Sequence, residues 1–167
     1  MNLDTKFNRR LLISRYGIDC QRYNAEYSYI TWEACSLRRW MNETFLKEAF
    51  SSDEQNRILT SKVCTYNASK PSVNIEKDTK DKVFLLSIEE VEKYFPSEDA
   101  RKCAPTIYAR ARNAWITGEN CWWRLRSPSH QQSNAINIFS SETINYLSSN
   151  VNLDGPCVRP AFRTKQK

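Results

Sequence analysis

Glycine is nearly missing from this 167-residue chain: Gly17, Gly118 and Gly155 are its only three. Phosphate-cradling loops and dinucleotide-binding turns need clustered glycines so that backbone amides can approach phosphate, and three scattered ones exclude both. Histidine is rarer still. His130 stands alone in the polar run Ser127-Pro128-Ser129-His130-Gln131-Gln132-Ser133, and general acid or base work needs a positioned partner that the sequence does not identify. Ser-His-Asp or Cys-His catalysis can be drawn from the residues present, but nothing fixes their proximity, so no catalytic residue is assigned. Six cysteines (Cys20, Cys35, Cys64, Cys103, Cys121 and Cys157) contain no CxxC and no Cys/His spacing of a zinc site. Neither a metal nor a cofactor is expected. No apolar run approaches the roughly 20 residues of a membrane helix, and the N-terminus lacks a basic-then-apolar leader pattern, so no membrane span is expected in this chain.

What is present points to one folded domain. A hydrophobic content of 40% with 12% aromatics supplies a core, and a chain of this length buries most of its apolar surface without staples. The even cysteine count permits disulfides in an oxidising compartment but requires none. Cys35 reads as a small buried residue, and Cys121 and Cys157, each opening a strand, are candidate neighbours whose bonding the sequence leaves open. The compartment is left open too.

Charge is unevenly spread. Twenty-five basic and 19 acidic residues give a net +6, and the stretch 101–126 carries Arg101, Lys102, Arg110, Arg112, Arg124 and Arg126 against Glu119 alone. Interleaved with Tyr108, Trp115, Trp122 and Trp123, these cations have one signature of single-strand nucleic-acid binding. The simpler reading is structural: arginines beside strand tryptophans bury their stems and pair with acids. Asp53-Glu54 and Glu89-Glu90 complement helix dipoles at helix starts, and Asn150, Asn152 and Asp154 alternate without a matching calcium-lectin motif.

Along the chain, Phe7–Ser14 reads as a first strand. Thr31 is the expected cap of a helix carrying Leu37, Trp40, Met41, Phe45 and Ala49 at helical spacing. Ser51 with Glu54, or Ser52 with Gln55, is the expected capping box of a short helix through Ile58-Leu59. After a short strand from Val63, residues 67–80 read as a mobile insertion. Val83–Leu86 is a buried strand, Ser87 caps a helix that Pro96 ends, and Pro105-Thr106 opens another that Gly118 ends. Strands at Trp122–Ser127, Ala135–Phe139, Thr143–Leu147 and Val158–Arg163 read as a terminal antiparallel meander. The expected class is α+β, with helices packed on an antiparallel C-terminal sheet.

Two motifs are the most informative: Cys121-Trp122-Trp123-Arg124-Leu125-Arg126-Ser127-Pro128 and Cys157-Val158-Arg159-Pro160-Ala161-Phe162. Both alternate bulky and charged residues at period two, as strands with one core face do. Three further blocks accompany them: Thr31-Trp32 through Ser36-Leu37-Arg38-Arg39-Trp40-Met41-Asn42, Ala49–Glu54, and Asp81–Glu90. Together these five ordered blocks resemble a bacterial domain family of unknown function over roughly residues 9 to 163. The resemblance implies a C-type-lectin-like fold, as also used by formylglycine-generating enzymes and by the variable receptor proteins of diversity-generating retroelements. It implies no defined activity. The chain departs from the pattern at Arg124, in the place of a tryptophan, at Ser129 and Cys157, in the places of glycines, and before Leu11, where an opening strand is missing or degenerate.

The leading functional expectation is a non-enzymatic recognition module. Its loops around Pro128–Asn134 and Ser140–Asn152 would meet a protein or glycan partner, with Trp122, Arg124, His130 and Gln131 lining the site. Trp32, Arg38, Trp40, Asp81, Arg126 and Arg159 are assigned structural roles, with Arg126 and Arg159 pairing with an acid such as Asp81 or Glu89. Two alternatives are a cysteine-dependent enzyme similar to the formylglycine-generating type, with Cys121 and Cys157 as its cysteines, and a single-strand nucleic-acid-binding protein.

Overall fold

A hairpin opens the structure, a computed structural model describing residues 1–65, 77–129 and 131–166. Strand β1 (Asn2–Lys6) turns at Phe7 and Asn8, with φ of 49° and 59°, into β2 (Arg9–Ile13). Two consecutive left-handed residues give the turn whose twist matches antiparallel strands. The strand expected over Phe7–Ser14 therefore starts at Arg9, and a paired strand precedes it. β3 (Asp19–Cys20) follows.

The first helical stretch comprises α1 (Ser36–Trp40), a π-helical turn (Met41–Phe45) and α2 (Leu46–Ala49), which bury Leu37, Met41 and Leu46. Its cap is Cys35, whose Sγ accepts from the Arg38 amide at 3.4 Å. Thr31 instead closes a preceding turn, its carbonyl accepting from Ala34 and Cys35 at 3.2 and 3.0 Å. The Ser51/Glu54 box caps α3 (Ser52–Arg57). Ile58, expected within that helix, leaves it to form β4 (Ile58–Leu59) because it pairs with the last strand.

β5 (Ser61–Val63) pairs with β6 (Thr79–Asp81). The expected insertion over 67–80 lies outside the described residues up to position 76, as does His130. β7 (Val83–Phe84) leads to α4 (Ile88–Tyr94), capped by the Ser87/Glu90 box. A short α5 (Glu98–Arg101) precedes α6 (Ile107–Ala111), capped by Thr106. The latter ends at Asn113, whose φ of 63° supplies the left-handed residue. Gly118, at φ 60°, serves the hairpin between β8 (Ile116–Thr117) and β9 (Asn120–Cys121) instead.

The rest is β10 (Trp123–Pro128), β11 (Asn134–Ile138), β12 (Ile144–Asn150), β13 (Cys157–Val158) and β14 (Ala161–Lys165). They do not form one meander. One five-stranded sheet runs β12-β11-β10-β13-β3, with β13 parallel to β10. After Pro160, β14 crosses to a second sheet, ordered β1-β2-β14-β4, where β7 also pairs with it. The fold is mixed α and β, with several antiparallel sheets and few helices. Trp32, Val83, Leu125, Ile136 and Val158 are among the fully buried side chains holding sheets and helices together.

Candidate functional site

The strand arginines face inward. Arg126 donates to the carbonyls of Leu85 and Cys64 at 2.7 Å each and ion-pairs with Glu90. Its acid is thus Glu90, not Asp81 or Glu89. Asp81 is taken by others: Trp32 Nε1 donates to it at 3.1 Å, Arg38 Nε at 2.7 Å and Thr79 Oγ1 at 2.6 Å. This brings Trp32, Arg38 and Asp81 into one buried knot, while Trp40 packs on Phe45 at 5.4 Å. Arg159 lies over Trp123 and Phe95 at 4.9 and 5.0 Å and donates to the Ser14 carbonyl at 2.9 Å. Burial lowers its pKa.

Arg124 is 0% exposed and donates to the carbonyls of Asn150 and Leu153. Burial pulls its guanidinium down to about 10. It braces the turn after β12 from inside, where a surface ligand does not reach it. With Arg124, Arg126 and Arg159 buried, Arg101 on the Phe95 carbonyl at 2.9 Å, and Lys102 paired with Asp99, the basic segment disperses instead of forming a stripe.

Register separates the residues expected to share a site. Trp123 faces Ile138 and Pro128 faces Ala135, so Trp122 sits at one end of the β10–β11 pair and Gln131 at the other. Six residues of strand make that separation about 20 Å. At its end Trp122 is wedged against Trp115 at 5.0 Å and Phe139 at 4.4 Å, both edge-on, which makes it a brace between hairpins. Gly155 is required beneath this group: a Cβ there would lie 2.0 Å from the Trp115 indole nitrogen.

At the Gln131 end three loops interlock. The Asn24 amide donates to the Val151 carbonyl at 2.9 Å, Ile30 to Gln132 at 3.2 Å, and Val151 to Ser133 at 3.0 Å. Buried Tyr23 anchors the first loop by donating to the Arg126 carbonyl at 2.9 Å. The Asn24 side chain stiffens it further, donating to Glu26 and Ser28 and accepting from the Ser36 amide. On this frame Tyr27 and Tyr29 stand 58% and 78% exposed beside exposed Gln131 and Asn150. The two tyrosines were not singled out by the sequence, although the run Asn24-Ala25-Glu26-Tyr27-Ser28-Tyr29 has the composition of a binding loop.

Behind the same loop a cavity of about 390 Å³ is lined by Cys20, Arg22, Trp40, Arg112 and Asp154 among others. Its cysteine begins a row of thiols. Cys20 Sγ lies 3.6 Å from Cys157 Sγ. A Cβ on Gly17 would come within 2.9 Å of Cys121 Sγ and 3.0 Å of Cys157 Sγ, so those two sulfurs share one pocket of space. Protonated, Cys121 donates to the Cys103 carbonyl at 3.2 Å. Ionised, it accepts from the Cys103 and Cys157 thiols, with Arg159 nearby, so its thiol is lowered while the two donors are raised. Cys121 and Cys157 are indeed brought together, within a larger set that spacing did not reveal. Among the described residues no group of three or more His, Cys, Asp or Glu side chains is placed to hold a metal ion.

These features define a mixed α/β domain with a loop-built face and a buried thiol row. Over residues 8–166 the chain matches the DUF6273 domain, a domain of unknown function, and it belongs to that family. No curated protein and no solved structure matches it.

Proposed function

We propose that this domain is a non-enzymatic recognition module on a C-type-lectin-like scaffold, and that its contact face is the set of loops 24–30, 131–134 and 150–154. The observation carrying this reading is the pair of exposed tyrosines on loops already cross-bonded to one another. Tyrosine offers large amphipathic contact area at low entropic cost, and a pre-ordered loop loses little freedom on binding. The partner class is protein or glycan, since serine, asparagine and glutamine around the tyrosines supply adaptable hydrogen bonds. Gln131 stays in this site, Arg124 fixes one of its loops from below, and Trp122 braces the distant end of the sheet.

Screening the purified domain on a glycan panel and against captured, then purified, protein partners separates the two classes. For whichever binds, the double variant Tyr27→Ser/Tyr29→Ser should lose about 30-fold or more in affinity, as for the loss of a central tyrosine contact, at unchanged melting temperature. Undiminished affinity would remove the proposal. The nucleic-acid alternative is weakened because Arg124 and Arg126 are buried and Lys102 is paired, which leaves Arg110 and Arg112 as the exposed cations of the segment beside Tyr108. The cysteine-enzyme alternative keeps one observation, the proximity of Cys121 and Cys157.

A further inference from the structure

Cys20 is 2% exposed yet forms part of the cavity wall, and its sulfur touches that of Cys157. The two residues are direct cross-strand partners in the β13–β3 pairing. A disulfide needs about 2.05 Å between sulfurs, so the 3.6 Å contact closes by side-chain rotation without a change of register. The other groups of the wall are chemically specific. Arg22 and Arg112 are half-exposed, and their acid contacts, to Asp154 and Asp19, are long at 3.7 Å. Asp19 is already satisfied by the Cys20 amide at 2.7 Å and by Gln21 at 3.0 Å. Two guanidiniums for carboxylates, one aspartate for an ammonium and the flat ring of Trp40 line, together with Cys20, a cavity of small-ligand size. The Cys20 sulfur lies beneath that wall against Cys157 Sγ and the Ala109 carbonyl, each at 3.6 Å.

We infer that this cavity is a thiol–disulfide exchange site for a zwitterionic amino-acid or short-peptide disulfide, with Cys20 as the attacking thiol and Cys157 as the resolving one. The Cys20 thiol releases its proton to solvent, and its thiolate attacks one ligand sulfur. The ligand S–S bond breaks, a mixed disulfide forms on Cys20, and the departing thiolate takes up a proton. Cys157 then attacks the Cys20 sulfur, its proton passing to the second ligand sulfur as the mixed disulfide breaks, so that the Cys20–Cys157 disulfide forms and the second ligand thiol is expelled. The protein loses two electrons and two protons, and the ligand gains both. Gly17 is required for this pair, because a Cβ there would meet the Cys157 Cβ at 2.7 Å. The cavity shares Ala25 and Asp154 with the loops of the recognition face, but the thiol chemistry does not depend on that reading.

The test uses the reduced full chain carrying Cys64→Ser, which removes the half-buried thiol of β5's flank. It is incubated with glutathione disulfide, acid-quenched, alkylated, and read by intact mass and peptide mapping. The expected product is two hydrogens lighter before alkylation, carries two alkyl groups fewer than the reduced control after it, and yields a linked Cys20–Cys157 peptide. Adding Cys157→Ser should stop the reaction at a single glutathione adduct on Cys20, and Cys20→Ser should leave every remaining thiol alkylated. Glutathione disulfide should react at least 10-fold faster than uncharged hydroxyethyl disulfide, and Arg22→Gln/Arg112→Gln should abolish that preference. An unchanged mass, a link between other cysteines such as Cys103–Cys121, or equal rates with both disulfides would overturn the assignment.

Discussion

Glu90 and Arg126 share one carboxylate oxygen's worth of bonding with a helix cap: Oε2 of Glu90 accepts from the Ser87 amide at 3.0 Å and from Arg126 Nη1. The capping box of α4 is therefore also the counter-ion of the central strand β10, and Arg163 of β14 approaches the other oxygen at 3.8 Å. A local helix signal and a long-range sheet contact meet at one side chain.

Arg126→Ala should accordingly be among the most damaging substitutions. It strands Glu90 and the Leu85 and Cys64 carbonyls, and breaking a buried pair from one side costs about 3–5 kcal/mol. Chemical denaturation should show that loss; an unchanged midpoint would contradict the structural role given to this arginine.

Two glycines should respond for different reasons. Gly155→Ala drives a methyl into the Trp115 ring, an overpacking cost of about 1–3 kcal/mol that should also shift tryptophan fluorescence. Gly118→Ala has open space around it but a φ of 60°, so it should cost only about 1 kcal/mol and leave fluorescence alone. Identical fluorescence responses would refute the packing assigned to Trp115.

Acid sensitivity has a local source in Asp4. It accepts from Tyr94 Oη at 2.8 Å, and that hydrogen bond, followed by the charges of Lys6 and Lys93, holds its carboxyl below the usual value of 3.8 despite some burial. A lowered folded pKa means the contribution is present above 3.8 and is lost as pH falls through the lower folded value. Melting temperature should therefore fall more steeply with acid in the wild type than in Tyr94→Phe below that pH. Parallel curves would show that the contact contributes nothing.

Because Arg124, Arg126 and Arg159 are buried, short single-stranded oligonucleotides should not raise the melting temperature even at low salt, where phosphate contacts are strongest. A salt-sensitive rise would restore the nucleic-acid reading.

The sequence disclosed what is local and hid what depends on register. The Ser51/Glu54 box and the Ser87 cap are local signals and stand where they read, although Glu90, which completes the second box, reads only as helix-dipole complementation. Strand alternation puts the arginines on one face without deciding whether it is buried, and Arg126 and Arg159 read as structural but Arg124 as a ligand contact. Their partners do not follow either: Asp81 and Glu90 are separated by nine positions, and only the sheet order decides which one β10 meets. Trp122 and Gln131 are nine positions apart, and the length of β10 puts them at opposite ends of its pair with β11. Cys20 and Cys157 meet across 137 positions because β13 turns parallel to β10 and then reaches β3. Tyr27 and Tyr29 lie in a loop without periodicity, so no hydrophobic pattern marked them. Thr31 outranks Cys35 as a cap by propensity, but the thiol is the group placed one turn before Arg38.

The recognition face is tested most directly by the hydrogen-exchange footprint of a bound partner, protein or glycan, found on the panel. Added protection should fall on 24–30, 131–134 and 150–154. Protection confined to the far end, around Trp115, Trp122 and Phe139, would contradict the account.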